Sequence, residues 1–351
     1  MKFQLHKIVK PLLSWYDANA RVLPWRDNPT PYRVWVSEIM LQQTRVEAVK
    51  PYFERFTAEL PSVEALAAAP EEQLLKLWEG LGYYSRVRNL QKAAQIVMEQ
   101  YGGILPDQPE ELLRLPGIGE YTAGAVASIA YGRPAPAVDG NVLRVLSRVT
   151  ASREPISDLS VKRGFAARLR EIYPTGRAGA FTQSLMELGA TVCVPNAAPN
   201  CGECPLSSLC MAHAQGIELQ LPIKAEKKKR ISEELTVFLI VCENKTALRK
   251  RPAKGLLAGL WEFPNVSGKL SPPQAADWLK TFGLSSVKIQ PLPESKHIFT
   301  HREWHMTNYR VTVKAIPPEG DFVWADREEL AETYTLPTAF QSCLHEFLSG
   351  K

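Results

Sequence analysis

Residues 110–132 read EELLRLPGIGEYTAGAVASIAYG, and this stretch decides the fold of the amino-terminal part of the chain. Pro109 can open a helix, with Glu110 and Glu111 in its first turn, where carboxylates suit the helix dipole. Leu112, Leu113 and Leu115 give that helix an apolar face. Pro116-Gly117-Ile118-Gly119 then forces a tight turn, and a second helix runs from about Glu120. Two glycines around one buried aliphatic residue let backbone N–H groups at a helix start approach an anion closely. A bare Gly-Ile-Gly is more often an ordinary turn. The full Leu-Pro-Gly-x-Gly frame, followed by small residues that permit close packing, shifts the reading to a helix-hairpin-helix. Such a unit grips a DNA strand through its phosphates and reads no sequence.

Working outward, residues 1–222 read as mostly helical. The segment SVEALAAAPEEQLLKLWEGLGYYSRVRNLQKAAQIVMEQYGG (62–103) carries repeated i, i+3, i+4 apolar spacings and stops at Gly102-Gly103. A charged run at 224–230 marks a linker, placed at 223–230. Beyond it LTVFLIVCE, KTALRKR, HIFTHREWHMTNYRVTVKAI and DFVWAD read as strands, with helices around Pro273–Phe282 and Thr338–Leu348. The expected architecture is a mostly α domain at 1–222 and an α+β domain at 231–351. No internal repeat is present.

At 351 residues the chain suits two cores better than one. Its charge of +5 permits a polyanionic partner without establishing one. No stretch approaches the roughly 20 apolar residues of a membrane span. The first residues, MKFQLHKIVKPLLSWYD, lack the apolar run and cleavage site of a signal peptide. Four of six cysteines (Cys193, Cys201, Cys204, Cys210) fall in the loop 193–210, in the pattern C-x7-C-x2-C-x5-C. Four thiolates in so short a span point to a metal. Zinc usually draws on two C-x2-C pairs and only one exists here, which favours an iron–sulfur cluster while leaving zinc open. A reduced, cytoplasmic, metal-bearing protein is expected.

Two carboxylates stand out. Glu38, in PYRVWVSEIMLQQTRVEAV, lies between Val34-Trp35-Val36 and Ile39-Met40-Leu41. If it is desolvated there, its pKa rises and it stays protonated near neutrality, as a general acid requires. The alternative is a glutamate on the polar face of a surface helix. Asp139, in PAPAVDGNVLRVLSR, sits at the N-cap of a further helix, and capping alone would explain it. A short carboxylate beside a DNA-gripping hairpin is also placed to face a developing cation, and the two roles are compatible.

These features occur together and in order in the endonuclease III-like superfamily of DNA glycosylases. Across nearly its whole length the chain resembles the adenine glycosylase branch. The resemblance rests on Leu23-Pro24-Trp25-Arg26, SEIMLQQTRVEAVKPYFERF, WEGLGYYSRVRNL, LPGIGEYTAGAVAS, VDGNVLRV and MELGATVC. It implies hydrolysis of the N-glycosidic bond of adenine mispaired with 8-oxoguanine or guanine in double-stranded DNA, by a monomer. It further implies Glu38 as the acid and Asp139 as the carboxylate stabilising an oxocarbenium ion, with Tyr121 and Asn141 supporting them. Trp25, Arg26 and Gln183 would wall the adenine pocket, Gln43 and Tyr83 would wedge into the duplex, and Gly117 and Gly119 would hold phosphate. The cysteines would carry a 4Fe-4S cluster. The family's first two cysteines are usually six residues apart; VPNAAPN makes seven here, and the extra residue is expected to bulge the loop without losing a ligand.

A glycosylase that nicks the strand efficiently uses a lysine to form a Schiff base. Tyr121 stands at that hairpin position, and no lysine occurs from Ala93 to Val161, so the enzyme is expected to be monofunctional. The second domain resembles a Nudix-like domain. GLWEFP looks like a Nudix strand, but the acidic G-x5-E-x7-R-E box is missing from VSGKLSPPQAADWLKTFGL, which implies binding rather than pyrophosphate hydrolysis. Phe299-Thr300-His301 matches the turn by which the family recognises 8-oxoguanine, with threonine where serine is usual; without the resemblance it is an ordinary hairpin. A non-catalytic iron–sulfur damage sensor would need neither Glu38 nor Asp139. A Nudix hydrolase with a DNA-binding appendage would need the missing box.

Overall fold

The computed structural model describes residues 3–224, 229–284, 287–318 and 320–350. Part of the charged run read as a linker, residues 225–228, therefore lies outside the described residues. The chain divides into two compact units. The first comprises Met1–Ala69 with Ser85–Glu226, the second Pro70–Tyr84 with Lys227–Lys351. Residues 70–84, within the span read as helical, thus cluster with the second unit.

The first unit is helical. The Leu-Pro-Gly-x-Gly frame forms the expected hairpin, with a short helix Pro109–Leu112 and a second helix Glu120–Ile129 N-capped by Gly119. Gly117 has φ +78°, and a Cβ there would lie 2.8 Å from the Asn89 Cβ, so both its conformation and its space demand glycine. The small residues of the second helix do pack closely: a Cβ on Gly124 would meet the Pro136 carbonyl oxygen at 2.1 Å. The helices Gly140–Val149, Leu159–Arg170 and Ala178–Thr191 bury Val142, Leu146, Phe165, Phe181 and Leu185 with Ile8 and Leu12 from the chain start. One apolar core thereby joins the two ends of this unit.

The second unit is a mixed sheet between helices. Strands β1 (Ile231–Cys242), β2 (Lys245–Lys250), β3 (Trp261–Glu262), β4 (Asn265–Ser267), β5 (Val287–Ile298), β6 (Arg302–Val313) and β7 (Val323–Ala325) make up the sheet among the described residues. Their order is β3-β2-β1-β6-β5, with β4 on β1 and β7 on β2. The central β1 runs parallel to β6, from Ile231 opposite Arg302 to Val241 opposite Thr312. A strand covered on both faces should be a continuous apolar run, and LTVFLIVC is one. Its Val237, Leu239 and Val241 pack toward Phe340, Cys343 and Phe347; its Phe238, Ile240 and Cys242 pack toward Ala275 and Leu279.

The expected strands and both expected helices are present, as Pro272–Lys280 and Gln341–Ser349. A third helix, Arg327–Glu332, was not anticipated, although Asp326 and Glu329 form a capping box that the sequence displays. Most of β5 was also missed. Its Pro291 and Pro293 argue against a strand, but β5 lies at the sheet edge and its register slips between Leu292 and Ser295, where proline costs no ladder bond. No helix among the described residues is long and apolar enough to cross a membrane.

Candidate active site

Glu38 lies on the helix Pro31–Leu41, started by Pro31 and capped by the Thr30 hydroxyl, which accepts from the Arg33 N–H. The helix is buried along most of its length, so Glu38 is drawn inside with its apolar neighbours and is 5% exposed. Burial pushes its carboxyl up to about 7, and the Asp139 charge adds to this; the Tyr121 hydroxyl and Arg26 partly oppose it. Tyr121 projects from the second hairpin helix and donates to Glu38 Oε2. Burial and the two carboxylates raise the Tyr121 pKa well above the usual tyrosine value, so its hydroxyl remains a donor. The surface-helix alternative for Glu38 does not hold.

Asp139 does cap its helix: Oδ1 accepts from the Val142 N–H at 2.8 Å. Its other oxygen accepts from Asn141 Nδ2 at 2.8 Å. Asn141 Oδ1 in turn accepts from Arg144 Nη2 at 2.8 Å, and that guanidinium donates to the carbonyls of Gly189 and Cys193, each at 2.7 Å. Asn141 can approach only because residue 189 is glycine; a Cβ there would lie 2.6 Å from the Asn141 Cβ.

Both carboxylates open on one cavity of about 630 Å³, within the roughly 300–1,000 Å³ of small-ligand sites. Nine of the sequence-nominated residues line it: Trp25, Arg26, Glu38, Gln43, Gly119, Tyr121, Asp139, Asn141 and Gln183. Trp25 is held edge-on against Phe53. Arg26 donates to Gln183 Oε1 at 2.9 Å and to Glu187 Oε2 at 2.8 Å, and Arg21 reaches Glu187 Oε1 at 2.6 Å. Burial alone would raise the Glu187 pKa, but hydrogen bonds from Arg21 and Arg26 outweigh it and leave the carboxyl below its usual range.

Sequence reading missed this Arg21–Glu187–Arg26 clamp. The signal was the one that nominated Glu38, a carboxylate (Glu187) between apolar residues in MELGATVC. It also stopped one residue short of Lys162, which lies on the cavity wall.

Gln43 and Tyr83 both have left-handed backbones, at φ 59° and 47°. Non-glycine residues held this way store strain, and such strain clusters at functional sites. Tyr83 belongs to the second unit, where its hydroxyl lies 2.6 Å from Thr300 Oγ1. Phe299-Thr300-His301 is the hairpin turn between β5 and β6, closed by a bond from the Phe299 N–H to the Arg302 carbonyl. Thr300 and His301 are exposed, whereas the Phe299 ring packs edge-on against Trp304 at 4.8 Å.

Back in the first unit, Cys193, Cys201, Cys204 and Cys210 line one small cavity with Leu188, Leu206, Arg148, His213 and Glu218. Arg148 Nη1 donates to Cys193 Sγ at 3.3 Å. The seven-residue loop closes at its neck through the Asn200 N–H and the Val192 carbonyl, and turns at Asn196 with φ 58°. Thus the extra residue is taken up in the loop, and Cys193 and Cys201 still face the same space.

Residues 36–171 match the model of the HhH-GPD superfamily base excision DNA repair proteins, and residues 236–346 match the NUDIX domain model. The chain is 35% identical to an adenine DNA glycosylase of Buchnera aphidicola over 84% of its own length and 83% of that protein's. It is 35% identical to the human adenine DNA glycosylase over 94% of its own length and 72% of that protein's. Against an Arabidopsis thaliana adenine DNA glycosylase the identity is 39%, with 75% of this chain covered but only 48% of the longer relative. Among solved structures, a non-covalent endonuclease III–DNA complex aligns with TM-score 0.52 and 26% identity, covering 61% of this chain and 97% of that one.

Proposed function

The chain belongs to the adenine DNA glycosylases of the HhH-GPD superfamily, and from that premise we propose that it hydrolyses adenine from A:8-oxoguanine and A:G mispairs in duplex DNA, as a monomer, without a lysine–sugar Schiff base. The observation that carries this reading is Glu38: a carboxyl titrating at about 7 in the wall of a base-sized cavity, facing a second carboxylate.

The helix-hairpin-helix grips the phosphates through the amides at Gly117 and Gly119, and strained Gln43 and Tyr83 enter the duplex as adenine swings out of the stack. Trp25, Arg26 and Gln183 receive the base. Glu38, pushed up to about 7 and so partly protonated at neutral pH, protonates a ring nitrogen, so that adenine leaves as a neutral molecule. The C1′–N9 bond breaks toward an oxocarbenium ion, and Asp139 faces the growing positive charge. Both Asp139 oxygens accept protein hydrogen bonds, which hold the carboxylate in place toward that charge. Glu38, now ionised, takes a proton from the attacking water, leaving an abasic site.

Tyr121 occupies the position where a strand-nicking relative would place its amine, and it is committed to Glu38. Lys162 is the amine on the cavity wall, so the hydrolytic reading predicts little borohydride-trapped adduct and no strand scission before alkali. Efficient trapping at Lys162 with matching scission would overturn it.

The four cysteines suit a 4Fe-4S cluster. Zinc commonly draws its sulfurs from two C-x2-C pairs, and this loop holds one such pair, with all four cysteines on one small cavity. When bound, the cluster would cross-link the loop 193–210. Base removal itself uses Glu38 and Asp139. In the second unit Thr300 and His301 would hydrogen-bond 8-oxoguanine.

The test is a duplex with one A:8-oxoguanine pair, incubated with protein and then cleaved with alkali. Strand breakage at the adenine by wild type, with tight binding but no breakage by Glu38→Gln, is expected. Breakage by both proteins would refute the assignment.

A further inference from the structure

The chain leaves Cys210 through the helix Met211–Gln215, which carries His213 to the rim of the cysteine-lined cavity. Gly216, in the left-handed conformation at φ 65°, ends that helix and reverses the chain, and a single 3-10 turn then begins at Glu218. Arg148 Nε donates to the Glu218 carbonyl at 2.9 Å and pins that backbone from the inside. The Glu218 carboxylate is thereby carried to His213, Oε1 to Nδ1 2.5 Å, and to Cys201, Oε1 to Sγ 3.9 Å. One donor atom from each of Cys201, His213 and Glu218 falls within 4.8 Å of the others.

We propose that these three residues form a second, mononuclear cation site, for Zn²⁺ or another thiophilic divalent ion, that shares Cys201 with the cluster. Sulfur, nitrogen and oxygen donors in this number suit zinc, with water as the fourth ligand. A thiolate and a carboxylate balance the 2+ charge, and the imidazole adds none. The Cys201 thiol gives up its proton as the ion enters, and His213 binds through Nδ1 with its ring proton on Nε2. His213 is 45% exposed, which supplies an entry path from solvent. His213 and Glu218 line the same small cavity as the four cysteines, so the ion would lie within the cluster's own space, held by three donors gathered closely enough for one ion.

Because Cys201 cannot serve both, the two occupants exclude each other. A chain that has not received its cluster, or has lost it, then retains a metal that ties Cys201, midway along the loop 193–210, to the turn at Glu218. That exclusion rests on the cluster reading, whereas the three-residue site does not.

The probe is Co²⁺, whose absorption reports tetrahedral geometry and whose thiolate-to-metal band grows with the number of sulfurs bound. Full-length protein from iron-limited culture should bind one Co²⁺ with a single-thiolate band. His213→Gln and Glu218→Gln should each weaken binding by about tenfold or more, on the scale of altered metal sites, with circular dichroism unchanged. Cys204→Ser should bind as wild type does, and protein loaded with iron and sulfide should bind no Co²⁺. The site is refuted by absence of Co²⁺ binding, or by a multi-thiolate band indifferent to both substitutions, which would put the ion on the four cysteines. Co²⁺ binding to cluster-loaded protein at unchanged affinity would refute the exclusion. Iron and sulfide assays on anaerobically prepared wild type test the cluster separately: their failure with an intact single-thiolate signal would leave this site standing.

Discussion

Glu38→Gln should make the free protein more stable while abolishing its chemistry, and the size of the gain can be worked from burial. In the unfolded chain this carboxyl titrates near the ordinary glutamate value of 4.5; in the folded chain burial pushes it up to about 7. Between those values the native state holds a proton that the unfolded state has released, so stability falls as pH rises across that window. It is fully present below about 4.5 and lost above about 7. At 1.36 kcal/mol per pKa unit the loss comes to about 3 kcal/mol. A glutamine keeps an oxygen to accept the Tyr121 hydroxyl but has no proton to lose. Urea unfolding of wild type and variant, from pH 4.5 to 8, should therefore show the variant gaining about 3 kcal/mol on wild type across the window. A difference constant to within about 1 kcal/mol would refute the reasoning, because it would mean Glu38 is not desolvated. The same proton sets the rate: single-turnover excision by wild type should hold level below pH 7 and fall with pH above it.

Asp139→Asn separates capping from catalysis. Asparagine keeps the cap to the Val142 N–H but turns an amide donor toward Asn141 Nδ2, so stability should fall by only about 1 kcal/mol, whereas loss of the charge should slow excision by on the order of 100-fold; an unchanged rate would assign Asp139 to structure alone. Gly189→Ala drives a methyl into the Asn141 Cβ and backbone, and should cost about 1–3 kcal/mol in thermal unfolding together with a slower chemical step; an unchanged variant would show the helices free to part. Thr300→Ala with His301→Ala should lower the ratio of excision rates on A:8-oxoguanine over A:G by roughly ten- to a hundred-fold, leaving A:G chemistry near wild type. Equal losses on both duplexes would make the turn merely structural.

What the sequence made legible was whatever depends on local order. The glycines of the hairpin, the apolar flanks of Glu38 and the continuous run of β1 each carry their own physical signature, and the structure has all three. The Arg21–Glu187–Arg26 clamp did not, because two of its members lie more than 160 residues from the third. Strand β5 was hidden for a different reason. Proline is read locally as a strand breaker, and only the sheet order, a non-local fact, reveals an edge where it is tolerated. Cys201 was legible as one of four thiols but not as a neighbour of His213 and Glu218, since that proximity depends on the reversal at Gly216.

The division of the chain has a consequence for anyone cutting it. Residues 70–84 are threaded into the second unit: Lys76 Nζ donates to the Leu330 carbonyl at 2.9 Å, and the Leu336 N–H donates to Glu79 Oε1 at 2.8 Å. A gene shortened after codon 230 would encode the bonding partners of Leu330 and Leu336 without those residues. The product would keep Lys76 and Glu79 stripped of their docking surface, alongside Tyr83 without Thr300. Any defect of such a fragment would then mix the loss of a recognition turn with damage to a loop that carries a strained tyrosine. His301→Ala alone leaves the Lys76 and Glu79 bonds and the Tyr83–Thr300 contact intact, and so reports on recognition by itself.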